Sequence, residues 1–160
     1  LDMGMDPFNF ADSLLAVLAQ RLVRRLCSGC RQSRPATEVE IEEWLDDYLH
    51  AFMGDPEGTP DRQALRAEWI EQHGSDGQLL KYHSPGCARC DSTGYKGRAG
   101  LHELMVISRG LRRMVQTGER AEALQQVALR EGMRTLRQDG IAKVLAGITS
   151  IEDVHATSNH

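Results

Sequence analysis

Helical periodicity over most of the chain, two close cysteine pairs and only two short β-patterned runs together predict a mainly α fold with a small zinc-bound β element: a tetracysteine metal module followed by a C-terminal helical subdomain. The elements follow in chain order. Pro7 and Asn9 offer the start of a helix running to about Leu26, with Leu14, Leu15, Val17, Leu18, Leu22, Val23 and Leu26 as a broad apolar stripe. Arg21, Arg24 and Arg25 then fall toward its C-terminal end, where cations complement the helix dipole. From Glu38 to Met53, Ile41, Trp44, Leu45, Tyr48, Leu49 and Phe52 recur at helical spacing among acidic residues. Gly54, Pro56, Gly58 and Pro60 break that helix, and Thr59 with Pro60 supplies a cap and first residue for a second one reaching about His73. Leu79 to His83 and Gly100 to Ile107 read as short strands on either side of the second cysteine pair. Ser108 caps a helix carrying Leu111, Met114 and Val115 that stops at Gly118, and Ala121 to Glu131 forms the next, stopped by Gly132. A further helix starts at Thr135 and uses Leu136, Ile141, Val144 and Leu145; Thr149 with Glu152 then reads as a capping box for a last short helix through Val154.

The chain of 160 residues is long enough to bury a hydrophobic core without disulfides. Its longest apolar stretch, Leu14 to Leu18, is far too short to span a bilayer, and the N-terminus lacks the order of a signal peptide. A cytoplasmic protein without membrane insertion is expected, and the opening Leu-Asp-Met-Gly reads as the middle of a longer polypeptide. Charge is uneven: Ala36 to Gly77 carries twelve Asp and Glu against Arg62 and Arg66, a net of -10 within a total of -4, which leaves +6 for the rest. An acidic helical hairpin inserted as an arm, at about residues 36–77, accounts for this. Either it is a solvated acidic face, or it docks on a basic surface of its own body, a neighbouring subunit or another protein.

Cys27-Ser28-Gly29-Cys30 and Cys87-Ala88-Arg89-Cys90 are each spaced so that a tight turn aims both sulfurs at one ion, and two such turns complete the tetrahedron Zn(II) accepts. Four thiolates leave a local charge of -2 around the metal, which Arg31, Arg89, Lys96 and Arg98 can offset. With cysteine at all four positions there is no open coordination site, so the zinc is expected to be structural. Iron in a four-thiolate site is the chemical alternative, and a redox dithiol another; the second lacks the helix-heading position such a dithiol uses. The histidines add little. His50 and His73 lie in the acidic arm, His83 and His102 flank the metal module, His155 and His160 are near the end, and only His83 could serve as a substitute ligand. No catalytic constellation stands out, and Gly94, Gly97 and Gly100 fit neither common phosphate-binding loop.

Several strings then become recognisable in order: Ala19-Gln20-Arg21-Leu22-Val23-Arg24, Leu26-Cys27, Gly86-Cys87 with Cys90, and Thr93-Gly94-Tyr95-Lys96-Gly97-Arg98. Glu103-Leu104, Gly132-Met133-Arg134-Thr135-Leu136, Asp139-Gly140 and Gly147-Ile148-Thr149 continue the series. Together they resemble the C-terminal region of the type II secretion and type IV pilus assembly ATPases, the secretion traffic ATPase family. The resemblance implies a RecA-like homohexameric motor that uses ATP and Mg, works on an inner-membrane platform protein and sits in the cytoplasm, peripheral at the inner membrane. It implies that residues 1–26 are the tail of the ATPase domain, 27–107 the tetracysteine module with its insertion, and 108–160 the helical subdomain, contacting their own ATPase domain and neighbouring subunits. The family's catalytic residues lie upstream, so no catalytic or nucleotide-binding residue is carried onto this chain. The 56 residues between Cys30 and Cys87 exceed the family's usual span, and the role of the acidic arm is not inherited. A zinc-ribbon nucleic-acid binder is the competing function; scattered basic residues and few aromatics argue against it.

Overall fold

The Leu14 to Leu26 segment is where local pattern and tertiary partner disagree, and the partner wins. In the structure, a computed structural model describing Gly4 and residues 6–159, Asp6 caps a short helix α1 (Pro7–Ser13) and the chain then extends into strand β1 (Ala16–Leu26). The expected helix to Leu26 is therefore corrected to a helix of two turns and a strand. β1 pairs antiparallel with β4 (Tyr95–Val106) in a ladder from Ala16↔Val106 to Leu26↔Tyr95, broken by one irregularity between Arg24 and Leu26. The doublets Leu14-Leu15, Val17-Leu18 and Leu22-Val23 satisfy helical and extended periods alike, so a long complementary strand decides the outcome. A second antiparallel pair joins β2 (Gln32–Pro35) to β3 (Leu80–His83). The mainly α assignment is overturned by these two antiparallel sheets; the fold is α+β.

The helices follow their caps. Thr37 and Glu40 form a capping box at the head of α2 (Glu38–Leu49), which tightens into a 3-10 turn over His50–Phe52. Asp61, rather than Thr59, caps α3 (Arg62–His73). Ser108 caps α4 (Arg109–Gln116), α5 spans Ala121–Arg130, and a Thr135/Gln138 box opens α6 (Leu136–Leu145). The final helix α7 (Ile151–Thr157) is capped by Ser150; Thr149 instead turns back to donate to the Arg24 carbonyl at 2.8 Å. None of these helices is long and apolar enough to cross a membrane, among the described residues.

Helix α6 is the centre. On one side it meets the β1–β4 ribbon, where Leu101 and Val23 are buried, Glu103 accepts the Leu136 N–H at 3.0 Å and Asp139 accepts the His102 N–H at 2.8 Å. On the other it meets the acidic hairpin: Ile41, Trp44, Leu45, Leu65 and Trp69 share one core with Ile141, Val144, Leu145 and Val154. The arm thus docks on its own body, and it does so through an apolar core rimmed by ion pairs. Asp55 meets Arg130, Asp47 meets Arg137 at 3.0 Å, and Arg134 donates to Tyr48 Oη at 2.9 Å. Much of the hairpin's own acidity is met internally, by Arg62 on Glu42 and Asp46 and by Arg66 on Glu38. A smaller core of Ile107, Leu111 and Ala128 lies between the far end of the ribbon and α4–α5.

One face of the ribbon is left uncovered. Directly paired residues share a face, so Ala16/Val106, Leu18/Leu104, Gln20/His102 and Leu22/Gly100 line the face opposite the α6 side, apolar on either side of the polar Gln20/His102 pair. Leu18, Leu22, Leu104 and Val106 are 60, 50, 50 and 63% exposed.

Candidate metal centre

The cysteine pairs sit where the ribbon's two strands end. Leu26 closes β1 by donating its N–H to the Ile148 carbonyl, and Cys27 N–H donates to the Gly94 carbonyl, both at 2.9 Å, so the strands enter the first turn and leave the second already tied together. Cys30 N–H reaches back to the Cys27 carbonyl at 3.4 Å. The second pair lies in a 3-10 turn, Ala88–Cys90, followed by two left-handed residues, Asp91 and Ser92. Glycine is required beside it: Gly94 has φ 81, and a Cβ there would lie 2.3 Å from the Ser84 carbonyl oxygen. Ser84 in turn donates its hydroxyl to the Cys27 carbonyl at 3.1 Å, joining the segment before the second pair to the first.

All four expected sulfurs converge. Cys27, Cys30, Cys87 and Cys90 are free, and their Sγ atoms lie within 4.8 Å of one another. The Sγ···Sγ distances are 3.8 Å for Cys27–Cys87, 3.9 Å for Cys87–Cys90 and 4.0 Å for Cys30–Cys90. A tetrahedron with Zn–S bonds of about 2.3 Å has S···S edges of about 3.8 Å, whereas a disulfide needs about 2.05 Å. The arrangement therefore has the dimensions of a four-thiolate metal site and not of a cystine. Cys27 and Cys90 are buried; Cys30 and Cys87 are half-buried.

Two of the four thiols are shifted in opposite directions by their surroundings. Burial pushes the Cys30 thiol up to about 11, with the neighbouring thiols adding to it against the Gly86 N–H. Burial also opposes ionisation of Cys90, but the Cys87 and Gly94 N–H groups, at 3.2 and 3.3 Å from its sulfur, and the adjacent thiols outweigh this and bring it down to about 6. Backbone N–H groups thus favour the thiolate form of Cys90.

The surrounding cations are arranged more specifically than proximity in sequence suggested. Arg31 donates to the Gly147 carbonyl at 2.7 Å and lies over the Tyr82 ring; Lys96 donates to the Arg89 carbonyl at 2.9 Å. Arg98 is exposed opposite Arg24 in the ribbon. His83 pairs across the small sheet with Gln32 and is not part of the sulfur cluster. His155 meets Asp47, and His160 lies outside the described residues. Arg24 does not serve a helix end: it gives its backbone N–H to Asp153 at 2.6 Å and its side chain at 2.8–2.9 Å, with its guanidinium over Tyr95. Tyr95 Oη bonds Ser150 Oγ at 2.6 Å, so α7 is fastened to the strand ends beside the cysteines. Asp153 was not singled out from the sequence. Its only local sign is its place three residues after Ser150, the true cap of α7.

The family described as "Type II/IV secretion system protein" matches residues 1–156. The chain is 38% identical over 155 residues to the type IV pilus assembly ATPase PilB of Thermus thermophilus, covering 97% of this chain and 15% of that protein. It is 40% identical over 153 residues to type II secretion system protein E of Aeromonas hydrophila, covering 96% of this chain and 25% of that one. Type II secretion system ATPase E of Vibrio cholerae is 33% identical over the same length, with the same coverage. The chain spans a quarter or less of these relatives. The ordered motifs that flank the sulfur cluster and the match along nearly the whole chain agree, and the protein belongs to the type II/IV secretion system protein family.

Proposed function

We propose that this chain is the zinc-stabilised C-terminal portion of a homohexameric ATPase that powers type II secretion or type IV pilus assembly, and that it acts as a structural and interaction module. Cys27, Cys30, Cys87 and Cys90 hold one Zn(II), which fills its coordination with protein sulfur and so supplies cross-linking and no catalysis. Residues 1–26 belong with the nucleotide-binding domain, 27–107 form the metal module with its acidic insertion, and 108–160 form the helical subdomain. ATP and Mg bind in the part of the motor outside these residues, which contain no phosphate-binding loop. The motor works in the cytoplasm, peripheral at the inner membrane through a platform protein.

The observation that carries this reading is the ribbon face of Leu18, Leu22, Leu104 and Val106. An exposed, largely apolar face of this kind, crossed by the Gln20/His102 pair, marks a surface made to be covered, and in a chain spanning a quarter or less of its relatives the ATPase domain of the same motor is the body to cover it. Two measurements test the proposal. Native mass spectrometry should find one zinc per chain, lost in Cys90→Ser; a wild-type chain that is metal-free and fully folded overturns the zinc assignment. In the full-length motor, Leu18→Asp with Leu104→Asp should dissociate or inactivate the ATPase while this segment keeps its metal; unchanged ATP hydrolysis and assembly overturn the role of the face.

A further inference from the structure

Arg89 lies between the two positions of the second cysteine pair, yet its side chain is laid across the first. A Cβ built on Gly29 would come 2.8 Å from Arg89 Cδ and 3.5 Å from both Nε and Nη1. The stem and guanidinium of Arg89 therefore rest on the backbone of the loop that carries Cys30, in space open only because residue 29 has no side chain. The Arg89 carbonyl is held in turn by Lys96 Nζ at 2.9 Å. The sulfurs are unequally protected: Cys27 and Cys90 are 1 and 5% exposed, while Cys30 and Cys87 are only half-buried. Arg89 thus spans the two turns where the site is thinnest, and brings a positive charge beside a cluster that would be dianionic when loaded.

We propose that Arg89 is a clasp over the metal site, and that Cys30, on the loop it covers, is the sulfur through which the metal is reached by chelators and thiol reagents. This rests on the reading of the cluster as a zinc centre. Arg89 acts through the loop and through charge; it is a positioning residue and not a ligand. Its contribution is twofold: it closes the first turn against solvent, and it lowers the electrostatic cost of keeping four thiolates together.

Two variants reach the clasp from opposite sides. Arg89→Ala removes it. Gly29→Ala keeps the arginine but puts a methyl where its stem lies; Arg89 is flexible and exposed, so it is pushed aside without disturbing the backbone. With zinc-loaded protein and a chromogenic chelator, both variants should release metal about tenfold faster than wild type, the low end for loss of an outer-shell partner, and Arg89→Lys should fall between. Limited N-ethylmaleimide treatment of the zinc-loaded protein followed by peptide mapping should label Cys30 before the other three cysteines, and faster in both variants. Zinc retained with wild-type release rates in either variant, or first labelling at Cys27, Cys87 or Cys90, overturns the proposal alone. A wild-type chain that binds no zinc overturns the metal reading and this inference with it.

Discussion

Replacing Asp153 with alanine should destabilise the protein by about 2–3 kcal/mol. The carboxylate is 6% exposed and accepts the Arg24 backbone N–H at 2.6 Å, a hydrogen bond to a charged group in a partly buried place, worth about 1.5–3 kcal/mol. Its second bond, to the guanidinium, adds less than about 1 kcal/mol, because the Arg24 side chain is 58% exposed and screened by water. The backbone donor is thus the larger loss, since alanine leaves it without its partner at the point where β1 turns into the metal module. Urea titration at fixed zinc measures the difference; for a chain of this size the same loss lowers Tm by roughly 4–12 °C. Asp153→Asn is the control: it keeps an oxygen for the Arg24 N–H while losing the charge, and should cost about 1 kcal/mol. An Asp153→Ala protein within about 0.5 kcal/mol of wild type, or an asparagine variant as unstable as the alanine one, would refute the argument that the backbone bond dominates.

Three further changes probe other parts of the frame. Gly140→Ala, normally favourable inside a helix, should here destabilise by about 1–3 kcal/mol, because its Cβ would lie 2.5 Å from Val154 Cγ1 and 3.3 Å from Leu101 Cδ1; equal or higher denaturation midpoints would show that α6 can move. Trp44→Ala should cost about 3–5 kcal/mol by thermal or urea unfolding, since Trp44 is 4% exposed in the core shared with α6; a loss confined to the hairpin, with α6 amides still protected from exchange, would mean that the arm folds separately. Arg34, then Lys81 and Thr37, hold the Glu40 carboxyl well below its usual 4.5 despite its burial. A depressed folded-state pKa makes the contribution of Glu40 full above about pH 4.5 and lost as pH falls from there through the folded value. The stability gap between wild type and Glu40→Gln should therefore be about 1 kcal/mol at pH 7 and close in acid; a gap that widens in acid contradicts the pairing.

What could be read from residues alone depended on whether the information was local. Helices α4 and α6 were legible because cap and apolar stripe lie in the same dozen residues, as with Ser108 before Leu111, and α2 and α5 were legible from their apolar spacing alone. The sulfur cluster was legible because pair spacing and metal geometry constrain each other over any intervening length. Strand β1 was not, since its partner lies far along the chain, the ladder running from Ala16 to Val106, and its leucine doublets fit either period. β2 was missed for the opposite reason: Gln-Ser-Arg-Pro has no apolar alternation at all, and it is extended because it follows the first cysteine turn into pairing with β3. At α7 the cap was misplaced by one residue, because Thr149 and Ser150 are both good caps and only the position of the Arg24 carbonyl separates them. The acidic arm's charge was visible, but its apolar docking on Ile141, Val144 and Leu145 needed the three-dimensional neighbour.

The tie between Cys27 N–H and the Gly94 carbonyl closes the base of everything from Ser28 to Thr93. Growth of a loop whose ends are already fixed is cheap, about 0.6 kcal/mol for each doubling, so the span between the cysteine pairs is free to vary in extent. Its inner surface is not. Whatever replaces the helical hairpin must still present an oily patch to α6, and a graft matched for length but polar on that side would leave the centre of the molecule open to water.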